Sequence, residues 1–207
     1  KTWGKGSEYL QTASGIELPM HDPRLGPGLA RTYQYDPTPG RHVKGGIGLR
    51  QLGQPAEMKY NYQGTGEADL AATTFQEVLN CLGFCMFATI VGVSPSAFHD
   101  YAEAITGLPF TAEDSFNTGL RILNMRQAFN IREGITPADC TISDRAVGKP
   151  PLTAGPLAGV TVDNDQLGRN FFAAAGWDLE TGKPSLESLQ RLGYLDEVIV
   201  DLYGDAK

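Results

Sequence analysis

The chain has 207 residues, 41% of them hydrophobic and 20% charged, which is enough to bury a core without disulfide or metal support. Its formal net charge of −7 opposes binding to a nucleic-acid backbone, and no apolar stretch approaches the length needed to cross a bilayer. Three cysteines without framework spacing do not indicate a secreted disulfide scaffold, so the composition predicts a cytoplasmic protein that binds neither nucleic acid nor membrane.

The first part of the chain is rich in glycine and proline. Lys1 is neither a start methionine nor the beginning of a signal peptide, so we expect a processed protein or an excised piece. Residues 3–15 favour at most a short helix, because three glycines weaken it, and the segment before Pro19 is expected to be extended. Residues 20–66 contain enough leucine and tyrosine to predict a folded loop region with a short helix near residues 26–35.

The strongest helical pattern runs from about Glu67 to about Thr89, with apolar residues at three-and-four spacing. Cys81 and Cys85 lie four residues apart in it, so a continuous helix would place both thiols on one face. Gly83 lies between them and indicates close packing, a break or a ligand, because an interior glycine costs about 1 kcal/mol relative to alanine. The cysteine pair is therefore either a cofactor seat or two packed small side chains.

Further helices are predicted after this segment. Ser94 begins one that ends at Gly107, and Thr111 opens another with a capping box that runs to about Arg132. Residues 135–162 have no sustained period, whereas residues 164–175, 185–192 and 195–203 are expected to be helical, the first of them capped by Asp163 or Asn164. The sequence thus predicts one all-α domain over residues 1–207, an irregular multihelical fold with long glycine- and proline-rich loops.

Common catalytic motifs are absent, which leaves the histidines as candidates. His42 follows a rigid Pro39-Gly40-Arg41 turn and precedes Lys44, so it can act as an acid or base near neutral pH, although a structural role stays open. The basic cluster formed by Arg41, His42, Lys44 and Arg50 is suited to a small anion or an anionic cofactor, or is a solvated loop.

Five motifs occur in order along nearly the whole chain. They are Leu18-Pro19-x-His21-Asp22-Pro23-Arg24; Asp36-Pro37-Thr38-Pro39-Gly40-Arg41-His42; the stretch from Asn80 to Cys85; Arg121-x-x-Asn124 with Asn130-x-Arg132-Glu133-Gly134; and Gly176-Trp177-Asp178. Each is weak singly, but five in this order at compatible spacings are hard to reach by chance. Together they resemble the C-terminal region of the aldehyde ferredoxin oxidoreductases.

Enzymes of that family hold tungsten, or sometimes molybdenum, between two pterin dithiolenes, beside a [4Fe–4S] cluster that passes electrons to ferredoxin or another acceptor. The resemblance implies that Asn80, Gly83 and Phe84 contact one pterin, with asparagine at position 80 where the family usually has aspartate. It implies that Cys85, and not Cys81, is the fourth cluster ligand.

By the same resemblance, His42 assists proton transfer near the metal and Lys44 contacts the pterin. The full-length enzyme would oxidise an aldehyde to a carboxylic acid.

The family's N-terminal domain, with three cluster cysteines, and the second pterin motif of its middle domain do not occur in this sequence. We therefore expect the isolated chain to carry neither cluster nor metal and to be inactive. The implied partners are the missing domains, ferredoxin or another acceptor, and the aldehyde; association into a homo-oligomer stays open. Two alternatives also stay open: a relative that acts on another substrate, such as an aromatic acyl thioester, and a non-catalytic helical interaction module.

Overall fold

A computed structural model describes residues 4–204 and confirms the predicted all-α class. In that part of the chain the helices are α1 (Gly28–Tyr35), α2 (Gly48–Gln51), α3 (Ala56–Lys59), α4 (Thr65–Cys81), α5 (Phe87–Ile90), α6 (Pro95–Thr106), α7 (Ala112–Arg132), α8 (Asn164–Ala175), α9 (Leu186–Leu192) and α10 (Asp196–Tyr203). A small antiparallel pair, β1 (Thr12–Ala13) and β2 (Ile16–Glu17), is a strand ladder that the sequence did not predict.

Helix α4 lies at the centre of the fold, between α7 and α8. Two glycines allow its backbone to approach both neighbours closely. A Cβ atom at Gly66 would lie 2.1 Å from the carbonyl oxygen of Asn170 on α8, and one at Gly119 would lie 2.2 Å from the carbonyl oxygen of Thr74 on α4. Because real side chains do not approach so closely, any larger residue at either position would push the helices apart.

The main apolar core fills the space between these three helices and the C-terminal pair α9 and α10. Its buried members include Leu70, Leu123, Phe171 and Trp177. The indole nitrogen of Trp177 donates a hydrogen bond of 2.7 Å to the buried side-chain oxygen of Asn124, so the polar edge of the ring is satisfied. The core therefore joins α4 to both later parts of the chain.

Helix α1 is almost entirely buried and carries a charged side chain into the interior. Arg31 is 0% exposed and donates to the carboxylate of Asp69 on α4, and its guanidinium lies 3.9 Å from the ring centroid of Phe171. Paired charges of this kind are tolerated in an interior because each replaces the hydration of the other. This pair fixes α1 against α4.

Several predicted helix boundaries are confirmed. Ser94 caps α6 through its side chain, which accepts from the amide of Ser96, and the Thr111 capping box that opens α7 is formed in both directions. Asp163 caps α8. The short helix predicted near residues 26–35 is α1, and the two predicted C-terminal helices are α9 and α10.

Over the described part of residues 3–15 the structure has no α-helix, in line with the expectation of at most a short helix. A single 3₁₀ turn, Ser7–Tyr9, precedes β1 there, because the glycines at 4, 6 and 15 all have positive φ angles. Residue 3 lies outside the described residues. Between residues 4 and 204, none of the helices has the length and apolar character that a bilayer span requires.

Candidate functional site

The predicted continuous helix from Glu67 to Thr89 is wrong over its last third, because α4 ends at Cys81 and a separate helix, α5, begins at Phe87. Gly83 has a φ of 76°, its amide donates to Asn80, and the amide of Phe84 donates 3.0 Å to the carbonyl of Leu79. These bonds form a Schellman motif, which satisfies the last carbonyls of a helix and reverses the chain. Of the three roles indicated for Gly83, the structure supports the break; a Cβ there would meet nothing within 4 Å.

The break separates the two cysteines. Cys81 is the last residue of α4 and Cys85 lies beyond the turn, so they do not share a face of one helix; both are exposed. The alternative that the pair is two packed small side chains is therefore wrong. Cys85 directly precedes the segment that leads into α5.

Asn80 connects the end of α4 to the loop that carries His42. Its side-chain nitrogen donates 3.2 Å to the carbonyl oxygen of Val43, the middle residue of the 3₁₀ turn His42–Lys44. Its side-chain oxygen accepts a 3.2 Å bond from Gln76, one turn earlier on α4. The structure thus brings together three residues that the sequence assigned to the site: His42, Lys44 and Asn80.

The loop that leads to this turn is fastened at its other end by Arg126 on α7. One guanidinium nitrogen donates 2.7 Å to Asp36 and 2.7 Å to the hydroxyl of Thr38, and the other donates to Glu77 on α4. Asn130 adds a bond of 2.9 Å to the carbonyl of Pro37. The proline-rich loop is therefore held by α4 and α7. The chain enters the His42 turn directly after this anchored segment.

A cavity of about 770 Å³ lies beside the turn. Its walls are mainly apolar, and its polar side chains are those of His21, His42, Arg50, Gln76 and Thr89. The apolar wall comprises Met20, Leu49, Leu52, Ala72, Phe75, Met86, Phe87, Ile90, Val93 and Pro95. A chamber of this size and lining is suited to a small organic molecule with one polar end.

His42 faces this cavity in an unusual electrostatic setting. Its Nδ1 atom is buried and has no hydrogen-bond partner among the described residues. Burial lowers the pKa of His42 from its ordinary value of 6.5, and the nearby His21 lowers this pKa further. The imidazole of His42 therefore stays neutral down to a lower pH than that of an ordinary histidine. Only the neutral form can accept a proton.

His21 is the cavity residue that the sequence reasoning did not single out; it was named only within a motif, beside Asp22-Pro23, where it can order a turn. Its ring centroid lies 4.7 Å from that of His42, with an interplanar angle of 68°. The turn itself exists: the carboxylate of Asp22 accepts from the backbone and the guanidinium of Arg24, at 2.7 Å for the shortest bond. Membership of the His21-Asp22-Pro23-Arg24 motif was the available signal.

The other predicted residues take varied positions. Lys44 is half-buried, and Gly83 and Cys85 are exposed. Phe84 packs its ring against Phe98 at 5.0 Å and Tyr101 at 5.6 Å between centroids, so it anchors the chain after the break. Cys85 is the only predicted metal ligand among them.

The described residues offer few ligands for the metal and the iron–sulfur cluster that the resemblance implies. Within residues 4–204, no group of three or more His, Cys, Asp or Glu side chains is placed to hold a metal ion. One exposed thiol fits one corner of an iron–sulfur cluster, which takes four. The open space at Gly83 fits the close approach of a bulky group to the backbone.

Fold and site together define a helical domain with a histidine-lined, largely apolar chamber. The family model described as aldehyde ferredoxin oxidoreductase, domains 2 & 3, matches residues 1–194, and the chain belongs to that family. It is thus a member of a family of tungsten- or molybdenum-pterin oxidoreductases, as its five motifs predict. A search of curated proteins finds no match.

Proposed function

We propose that this chain forms one wall of the active site of a tungsten- or molybdenum-pterin enzyme that oxidises aldehydes to carboxylic acids. The observation that carries the proposal is His42, which lines an apolar cavity of about 770 Å³ and whose buried Nδ1 has no hydrogen-bond partner among the described residues. Residues 1–207 act in it as a single helical domain, an inference supported by the packing of α4 against both α7 and α8.

The reaction adds one oxygen atom from water to the carbonyl carbon and releases two electrons and two protons. When bound, the metal–pterin group would accept the electrons, and a [4Fe–4S] cluster would pass them to ferredoxin. His42 takes one of the protons, because its lowered pKa keeps the imidazole neutral and its turn is held by Asn80. The apolar walls exclude water from the side chain of the aldehyde and orient its polar end towards the histidines.

Lys44, Asn80, Gly83 and Phe84 hold the pterin in this proposal. The half-buried ammonium of Lys44 compensates anionic groups, and the open space around Gly83 lets a ring system approach the backbone. Asn80 already uses one N–H on Val43 and accepts from Gln76, which leaves its second N–H for the cofactor. Phe84 fixes the segment through its aromatic contacts.

Cys85 supplies one of four cluster thiolates, so three must come from another segment or subunit. Its exposure supports this role, because a ligand to a shared cluster has to reach beyond its own domain. The chain alone is then expected to hold neither cluster nor metal. Three free cysteines are consistent with a reducing cytoplasm.

The test is elemental analysis of the full-length protein, expressed and purified without oxygen. We expect iron together with tungsten or molybdenum, and reduction of ferredoxin when an aldehyde is added. Absence of all three metals after anaerobic reconstitution would refute the cofactor assignment. Metals without aldehyde-dependent reduction would refute the substrate class alone.

A further inference from the structure

Two imidazole rings meet at the cavity from segments that are separate in the chain. His21 lies in the loop before α1, and His42 lies in the turn before α2; their ring centroids are 4.7 Å apart in an edge-on arrangement. Both line the cavity. Rings this close interact electrostatically whenever either carries a proton.

The backbone around each histidine is held by its own set of contacts. The backbone carbonyl of His21 accepts a bond of 3.3 Å from the hydroxyl of Tyr33 on α1. Farther along the same loop, Tyr60 donates 2.7 Å to the carbonyl of Arg24. The His42 turn is held from the other side, by Asn80 on α4. The pair is therefore built by the tertiary fold and does not arise from one flexible loop.

The charges around the pair are mostly compensated. Asp22, beside His21, is engaged by Arg24, and Arg31 on α1 is engaged by Asp69 on α4. Glu77 on α4 is paired with Arg126 and lies close enough to Lys44 to feel its charge. The other cations around His42 are Arg41 and Lys44, at the start and end of its turn, and Arg50, which lines the cavity; all three oppose a second positive charge.

We propose that His21 is a positioning residue for His42, which holds the His42 ring at the cavity and lets the pair accept only one proton. The functional meaning rests on the proposed role of His42, whereas the pairing itself does not. While both rings are neutral, His42 accepts the proton that the reaction releases, and this charge then disfavours a second proton on the pair. His42 then titrates as one member of a coupled pair.

The experiment is a proton–nitrogen NMR titration of the imidazole signals in the 207-residue chain, which has three histidines. His21→Phe keeps a ring at position 21 and removes its charge, and His21→Gln removes both. The matched control is His99→Gln, since His99 lies on α6 with its ring centroid 6.0 Å from that of Phe110.

In both His21 variants we expect the His42 midpoint to move to higher pH and its titration to become a single step. In His21→Gln we also expect the His42 chemical shifts to change more than in His21→Phe, because the packing partner is lost. His99→Gln should leave the His42 curve in place. An unchanged His42 midpoint in both His21 variants would overturn the proposal, whatever metals the full-length protein holds.

In the metal-loaded full-length enzyme, the acid side of the kcat profile should shift towards higher pH in His21→Phe, with little change in KM. A merely structural role for His21 would lower kcat without moving the profile. A shifted NMR midpoint with no aldehyde oxidation in the wild type would keep the histidine pair and refute the proposed function instead.

Discussion

The side-chain amide of Asn80 donates to the carbonyl oxygen of Val43 across 3.2 Å and so ties the end of α4 to the turn that carries His42. An aspartate at this position, as the family usually has, could not make that bond, because an ionised carboxylate has no proton to donate. The asparagine therefore has a structural use in this chain that the sequence did not reveal.

We expect Asn80→Asp to lower the free energy of unfolding by about 1 kcal/mol, since one hydrogen bond is lost and two acceptors then face each other. Urea denaturation measures the change. Asn80→Leu should cost a similar amount, and Gln76→Leu, which leaves the Val43 bond in place, should cost less than Asn80→Asp. An Asn80→Asp variant as stable as the wild type would contradict the assigned contact.

Gly83→Ala should destabilise the chain by about 1 kcal/mol through backbone strain alone. The residue has a φ of 76°, and a Cβ there would meet no atom within 4 Å, so steric clash is excluded. Gly53→Ala is the matched control, because Gly53 also has open space around it but lacks a positive φ. Denaturation curves should show Gly83→Ala to be less stable than Gly53→Ala. Equal stability of the two variants would contradict a strained backbone at position 83.

Arg126→Met should cost about 2–4 kcal/mol, because it leaves two carboxylates without their shared partner. The side chains of Asp36 and Glu77 are 0% and 2% exposed. Burial raises the pKa of Glu77, so mild acid should protonate it first and reduce part of this loss.

The control for that prediction is Arg132→Met, whose ion pairs with Glu133 and Asp201 join side chains that are about half exposed. Exposed pairs contribute roughly 0–1 kcal/mol, so this variant should remain near wild-type stability. The free energy of unfolding of both variants is measured by urea denaturation at neutral pH. Equal losses would show that burial does not determine how much the Arg126 ion pairs stabilise the chain.

His42→Gln should reduce the sensitivity of folding stability to acid. The pKa of His42 is lowered in the folded chain, so below its ordinary value of 6.5 the unfolded chain binds the proton more readily and stability falls as pH falls. The variant lacks this contribution and should lose less stability between about pH 7 and pH 5. Thermal or urea unfolding at both pH values measures it, and parallel curves for the wild type and the variant would be inconsistent with a lowered pKa.

Cys85→Ala in the full-length protein should abolish the [4Fe–4S] signal and lower the iron content, whereas Cys81→Ala should leave both unchanged. The two positions are well matched, since both thiols are exposed and they flank one turn. Electron paramagnetic resonance and iron analysis distinguish them. Loss of the cluster in Cys81→Ala alone would reverse the assignment.

Helix starts were readable from the sequence because their chemistry is local. Ser94, Thr111 and Asp163 each bond to an amide two or three residues away, so neighbouring residues contain the whole signal. The apolar residues of α6 show the limit of such patterns: Phe98 and Ala102 are buried, but Ile105 is 72% exposed. Periodicity identifies a face without saying how far the core extends.

The site was only partly readable for the same reason. His42, Lys44 and Asn80 were identified through a family resemblance, but the contact that joins them spans 37 positions. The pairing of His21 with His42 depends on where α1 places two loops, and no local pattern encodes that placement. The helix end at Cys81 was missed because apolar spacing continued past a glycine whose φ is positive.

Helix α4 packs closely against α8 at Gly66 and against α7 at Thr74, which lies beneath Gly119. Neither contact has room for a larger residue. Asn80 lies at the end of this packed helix and bonds to the His42 turn. Cys85, in contrast, follows the chain reversal at Gly83 and is exposed. The predicted site residues thus fall into two groups: Asn80 joins the His42 turn to the packed helix, whereas Cys85 faces outwards. Gly83 marks the boundary between the two groups.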